Sequence, residues 1–215
     1  MRSGRLVIAP YACRVLDPAG PWHALPIHDA CALFDGAPFR WWISGGHALE
    51  LHTRRSWRDH HDMDVGICRA DHAALRDWLS GWQITLAAQG VLTLWAGDDL
   101  VESLHHNNLW CRRDPDGPWE LDMTIGSGNR DEWIYRRDHA IRRPWSDAIL
   151  RSPDGIPYLA PDLQLLFKSG SPRPKDDRDA VEVIPALTDD ERRFLRVALA
   201  HDHAWHAVID TITTG

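Results

Sequence analysis

A chain of 215 residues with 44% hydrophobic content can form one domain with an appended subdomain, or two small ones, around a real core. Its formal charge of −7 gives no overall attraction to nucleic acid, although local clusters such as Arg54, Arg55 and Arg58 can still grip phosphates. The four cysteines, Cys13, Cys31, Cys68 and Cys111, have neither CxxC spacing nor the density of a stapled secreted domain. Pro10 and Arg14 break the N-terminal apolar run short of a signal-peptide core, and no segment approaches the ~20 apolar residues of a membrane span. These features fit a soluble, cytoplasmic protein with reduced thiols. The twelve tryptophans and 13 histidines need no common role beyond core filling and compositional bias.

In chain order, residues 26–36 start with proline and end with glycine, the punctuation of a short helix. A strand through Phe39 to Ile43 is expected next, then a turn at Ser44, Gly45 and Gly46, then a helix through HALELH. Residues 53–60 carry no sustained period and read as a loop. From 62 to 68 the chain alternates: Asp62 and Asp64 take one face of a strand, roughly 7 Å apart at ~3.3 Å rise per residue, while Met63, Val65 and Ile67 take the other. A helix from Asp71, capped by its side chain, to Leu79 follows. WQITLA and VLTLWAG are β-rich, and LHHNNLWCRR and PWELDMTIG flank the hairpin signal DPDG. In the second arm Asp122 alternates with Leu121 and Met123, so two neighbouring strands could unite Asp62, Asp64 and Asp122.

Beyond Arg151 the period turns helical. Pro161 and Asp162 open LQLLFKSG, and RPKDDRDAVEVIPAL has Ala180, Val183, Ile184 and Leu187 at helical spacing with Asp176 on the same stripe and Asp179 beside it. A carboxylate on the packed side of a helix calls for a partner or a task. A last helix opens with the capping box Thr188 to Glu191 and is expected to bury Phe194, Ala198 and Trp205.

Three strand-borne carboxylates suit phosphoryl or nucleotidyl transfer with magnesium, which prefers oxygen ligands and is held by one or two carboxylates plus substrate phosphates. Gly45 and Gly46 allow close approach of backbone, and the helix after them directs N–H groups at phosphate. Singly each piece has a bland account. DxD on a strand is often a solvated face, GG often only a turn, and Lys168 can be a surface lysine. His60, His61 and Asp62 also allow an HD-type phosphohydrolase or a zinc site. HD sites are helical, however, whereas 62–68 alternates as a strand, and no spaced partner cluster for zinc is visible.

The order of these parts, Gly45-Gly46 and helix, then RDHHDMD, then Asp122 on a later strand, resembles the nucleotidyltransferase superfamily of the DNA polymerase β type. The resemblance is greatest to the aminoglycoside 2''-adenylyltransferase group, whose arginine loop and HDxDxD-like block match Arg58, His61, Asp62 and Asp64. PDLQLLFKS and RPKDDRD are similar to the Pro-acidic, Lys and KDxxD elements of minimal nucleotidyltransferases, including the antitoxin-controlled toxin branch. Gly46 and Asp62 stand farther apart than in the tightest members of the superfamily, and the glycine pair here follows Ser44.

The resemblance implies an α+β nucleotidyltransferase fold, a mixed sheet flanked by helices. It implies a catalytic domain over residues 1–151 and a helical region over 152–215 that completes the nucleotide and acceptor cleft. Asp62 and Asp64 would hold magnesium (Mg2+), with Asp122 as third ligand or general base. Ser44, Gly45, Gly46, Arg58, Lys168, Lys175, Asp176 and Asp179 would serve the nucleotide: Lys168 and Lys175 at the triphosphate, Asp176 and Asp179 orienting Lys168 or meeting the acceptor. The implied activity moves AMP from ATP onto a hydroxyl of a small molecule, an aminoglycoside-like antibiotic being electrostatically sensible for an acidic chain. An RNA acceptor, as in toxin-type members, and a nucleotide-binding regulatory module without turnover are the alternatives.

Overall fold

The computed structural model describes residues 15–16 and 20–213; Cys13 and the residues around Pro10 lie outside them. β1 (Val15–Leu16) is followed by α1 (Ile27–Phe34), which sits between Pro26 and Gly36 as expected and buries Ala30 and Phe34. β2 (Trp41–Ile43) leads into α2 (Gly45–Thr53), which starts at the first glycine and ends on Arg54 in the left-handed region, φ 56°. The expected strand from residue 62 begins later, as β3 (Asp64–Cys68), because Asp62 lies in a bend. The Met63 carbonyl still accepts from Asp122 N–H, at 2.9 Å, so the extended run reaches past the strand's formal end. Met63, Val65 and Ile67 are fully buried, and at roughly 1.5–3 kcal/mol each they can anchor a strand that carries carboxylates on its other face.

A single 3₁₀ turn over 69–71 precedes α3 (His72–Trp78). Asp71 makes no side-chain cap there: its backbone, at φ −93° and ψ 8°, is not in the extended conformation from which a capping side chain reaches the first free N–H groups. β4 (Gln83–Ala88) and β5 (Val91–Leu94) form a tight hairpin whose two turn residues, Gln89 and Gly90, both have positive φ. β6 (Asn108–Arg112) and β7 (Leu121–Gly128) flank the DPDG turn, closed by Gly117 N–H on the Asp114 carbonyl.

Then come β8 (Glu132–Ile134), β9 (Arg142–Pro144), α4 (Trp145–Ala148), β10 (Ile149–Arg151) and β11 (Pro157–Leu159). The helical period expected after residue 151 therefore starts only at α5 (Pro161–Ser169). The three residues of β11, one of them proline, are too few to show an alternation. α6 (Pro174–Val183) buries Asp176 and Asp179 with Ala180 and Val183. The expected last helix is two: α7 (Asp189–Ala198), with the Thr188–Glu191 capping box in place, and α8 (Trp205–Thr213). Trp205 is buried from the second, while Phe194 and Ala198 are only partly covered.

The strands make one mixed sheet in the order β1-β5-β4-β6-β7-β3-β2-β11-β10, with β8 and β9 branching from β7. β3 and β7 run parallel, as do β2 and β11; the other pairs are antiparallel. One apolar cluster, around Phe34, Met63, Val65, Ile67 and Met123, lies on one side of the central strands. A second joins Trp42, Leu49 and Trp133 to Leu163, Leu166, Val183 and Trp205 and so ties the C-terminal helices to the sheet. Trp42 and Ile43, adjacent on β2, enter different clusters, and the polar site opens on the Trp42 side. Among the described residues no helix is long and apolar enough to cross a membrane, and Cys31, Cys68 and Cys111 are free thiols.

Candidate active site

The parallel register of β3 and β7 sets Asp64 directly beside Asp122. Neighbouring strands are about 4.8 Å apart, so the two carboxylates share one patch of the sheet. Asn108 Nδ2 donates to one oxygen of Asp122 at 2.8 Å and Trp110 Nε1 to the other at 3.2 Å, which fixes the group in place. Burial and then the negative charge of Asp62 push Asp64 up to about 7. Burial, followed by the charge of Asp64, lifts Asp122 well above the usual carboxylate range despite its two donors. Asp62 acts on both, so the three aspartates form one electrostatic unit even though Asp62 stands off the strand. Two adjacent carboxylates, Asp64 and Asp122, whose proton affinity is raised suit a divalent oxygen-seeking ion such as magnesium.

Over this patch lies the glycine turn. Ser44 N–H donates to the Asp64 carbonyl at 2.9 Å, and Thr124 Oγ1 donates to Ser44 Oγ at 3.3 Å. Gly45 has φ +65°, and a Cβ there would overlap the Asp64 carboxylate. A Cβ on Gly46 would overlap Arg58 and His60. Both glycines are thus required by close approach: one lets α2 begin on top of Asp64, the other lets the 54–60 loop fold against the helix. Gln164 Oε1 accepts the Gly45 N–H at 2.8 Å, which joins the turn to α5.

A second polar cluster lies one layer further out. Asp179 is fully buried and accepts from Arg58 Nε at 2.7 Å, Arg58 Nη2 at 2.9 Å and Trp57 Nε1 at 2.9 Å. Lys168 Nζ stands 3.0 Å from Asp179 and 2.6 Å from Asp176, and Asp176 also accepts from the Arg173 backbone N–H and from its Nε. The Lys168 side chain is 8% exposed, which removes the surface-lysine reading. Burial would raise both aspartates. Hydrogen bonds from Arg58 outweigh it at Asp179, and those from Arg173 and Lys168 outweigh it at Asp176, so both sit below the ordinary range. Asp176 and Asp179 therefore hold Lys168 and Arg58 in place.

A cavity of about 310 Å³ opens from Ser44, Gly45 and Asp64 and runs between Trp42, Trp133 and Phe167. Its rim carries Lys168, Arg136, Arg137 and Arg173. Lys175 is half-buried and does not line it, although its charge reaches Asp64. Sequence reading overlooked Gln164, Asn108, Trp110 and the three arginines. Two signals existed: a glutamine one turn before Lys168 within an apolar stripe, and the alternation of Asn108 with Trp110 on the strand facing Asp122. The partner cluster that spacing alone did not offer His60 is supplied by α2, since His47, Glu50 and His60 have ligand atoms within 4.8 Å of one another. Arg58 donates to His60 Nδ1 at 3.1 Å while Nε2 lies 3.1 Å from Glu50, and burial and then His60 bring His47 down to about 4. Glu50 also accepts the Trp57 N–H, so this group pins the loop to the helix.

Sheet order, glycine turn and paired carboxylates define the class of fold: the chain has the nucleotidyltransferase fold. Within it, residues 26–105 match the family model for aminoglycoside-2''-adenylyltransferase. The crystal structure of the lincosamide antibiotic adenylyltransferase LnuA with lincomycin bound is similar at a TM-score of 0.50 and 18% identity, over 75% of this chain and 98% of that one. The solution structure of the antibiotic-resistance factor ANT(2'')-Ia is similar at 0.51 and 14%, over 80% and 88%. No curated protein matches the chain in sequence.

Proposed function

We propose that this protein transfers a nucleoside monophosphate, AMP from ATP, onto a hydroxyl of a small-molecule antibiotic and releases pyrophosphate. The observation that carries the reading is the pairing of Asp64 with Asp122 on adjacent parallel strands beneath a glycine turn, at the mouth of a cavity rimmed by cations. Asp62 and Asp64 would hold magnesium, which when bound supplies positive charge against the phosphates. Lys168, Arg136, Arg137 and Arg173 offer charge-assisted donors to the triphosphate, and the aromatic walls offer the base a stacking surface. The raised proton affinity of Asp122 suits a general base. The acceptor oxygen bonds to the α-phosphorus, its proton passes to Asp122, and the bond from the α-phosphorus to the bridging oxygen breaks with pyrophosphate leaving.

The test is incubation with α-labelled ATP, Mg2+ and either a panel of hydroxylated antibiotics or tRNA. Label on an antibiotic supports the proposal. Label on tRNA would assign the chain to the toxin-type chemistry, and retained ATP binding without label on either would make it a regulatory module.

A further inference from the structure

We infer that the acceptor sits on the β4–β5 side of Asp122, in a pocket suited to a hydroxylated molecule with one apolar face and at most one cationic group. This rests on the nucleotidyl-transfer reading and narrows its substrate. The strand registers line up Asp64, Asp122, Trp110, Thr85 and Leu94 in a single row across β3, β7, β6, β4 and β5. Residues directly opposite one another point to the same side of a sheet. The carboxylate face therefore continues without a break into an indole, a hydroxyl and a leucine that is half exposed.

A second pocket, of about 280 Å³, lies on this continuation, lined by Asp122, Trp110 and Asn108 with Ala87, Gln89 and Leu92 among its other walls. Asp122 and Asn108 border it, and Asn108 also borders the cation-rimmed cavity. Asp64 borders the first space and Asp122 the second, so the carboxylate pair stands between them, as it must between a donor and an acceptor of a transferred group.

Their charges differ. Among the described residues Asp122 is the one charged group lining the second pocket. A polycation would bring several ammonium groups there with one carboxylate to meet them, and each unpaired charge taken from water opposes binding. The first cavity is worse for a polycation, because Lys168, Arg136, Arg137 and Arg173 face Asp64 and an Asp176 already bound to Lys168 and Arg173. The −7 net charge of the chain thus does not reach the place where an acceptor must lie, and the electrostatic argument for an aminoglycoside-like acceptor fails locally. The pocket is also near the lower end of ligand-site volumes, about 300 Å³, which fits one sugar-sized ring with an apolar substituent against Trp110.

The test uses α-labelled ATP and Mg2+ with lincomycin, which has a single basic amine and an apolar substituent, and with tobramycin, which has several amines and none. Acceptor binding is followed independently of turnover by the NMR shifts of the Trp110 indole N–H and the Gly90 amide. Lincomycin is expected to take label and move both signals. Trp110→Phe, which also takes a donor from Asp122 and so lowers kcat, is expected to raise its KM about 3- to 10-fold with the KM for ATP unchanged. Preferential labelling of tobramycin would overturn the inference and leave nucleotidyl transfer standing. Failure of lincomycin to bind, or binding that moves neither signal, would also overturn it. Loss of label from every acceptor together with loss of ATP binding would instead remove the reading on which it rests.

Discussion

Asp64 with Asp122 and Asp176 with Asp179 are two carboxylate pairs drawn out of bulk water, and their surroundings push them in opposite directions. At the first pair burial and the neighbouring aspartates outweigh the pull of Lys168, Lys175 and Arg173 on Asp64, and proton affinity rises. The second faces Arg58, Lys168 and Arg173, and its proton affinity falls. Burial is common to both; the neighbours decide. We read the closed ion-pair network as a scaffold and the carboxylate cluster beside the cavity as the proposed place for a cation and a phosphate to arrive.

The comparison breaks most visibly at Asp179. Asp179→Asn leaves Arg58 and Lys168 without their shared partner, and unfolding in denaturant should show a loss of about 3–5 kcal/mol. The sign with pH follows from the lowered value. The stabilisation is present above the ordinary carboxylate pKa near 4 and disappears as pH falls through the depressed folded value, so wild type and variant converge in strong acid. Gly45→Ala should cost about 100-fold in kcat/KM, because the added carbon displaces Asp64 while the outer network is untouched. Asn108→Ala removes one of two donors from Asp122 and should lower kcat roughly 10-fold.

The smallest effect is the most discriminating. Asp64 has a raised folded value of about 7, so its favourable protonated state is fully present below pH 4 and is lost as pH rises through 7. In metal-free protein Asp64→Asn should therefore raise the melting temperature by about 2–4 °C at pH 8 and by little at pH 5. Magnesium should stabilise wild type at pH 8 and the variant less. The reverse order of wild type and variant at pH 8 would show that the two aspartate pairs are alike.

How far these features were legible depends on the length of chain that encodes them. Met63, Val65 and Ile67 against Asp62 and Asp64, and Leu121 and Met123 around Asp122, express the two-residue period of a strand, so the carboxylate row could be read directly. The inward Asp176 and Asp179 were equally open, because helical spacing placed them on the stripe of Ala180 and Val183. What lay hidden depends on partners distant in sequence. Gln164 meets Gly45 across 119 residues, and Lys168 is buried only because Arg58 and α6 converge on Asp179. β11 hid in three residues, the first of them a proline, and Asp62 lies in a bend before the strand. Net charge carries no position, so it could not say which charged groups line the two spaces beside the carboxylate pair.

The most direct test of the account is transfer of label from α-labelled ATP in Mg2+ by wild type, Asp64→Asn and Asp122→Asn, with folding checked by thermal melting. Loss of about 1,000-fold or more in both variants, with the fold intact, is the expected result. Transfer within a few-fold of wild type in Asp64→Asn would contradict the assignment of this carboxylate row as the reaction centre.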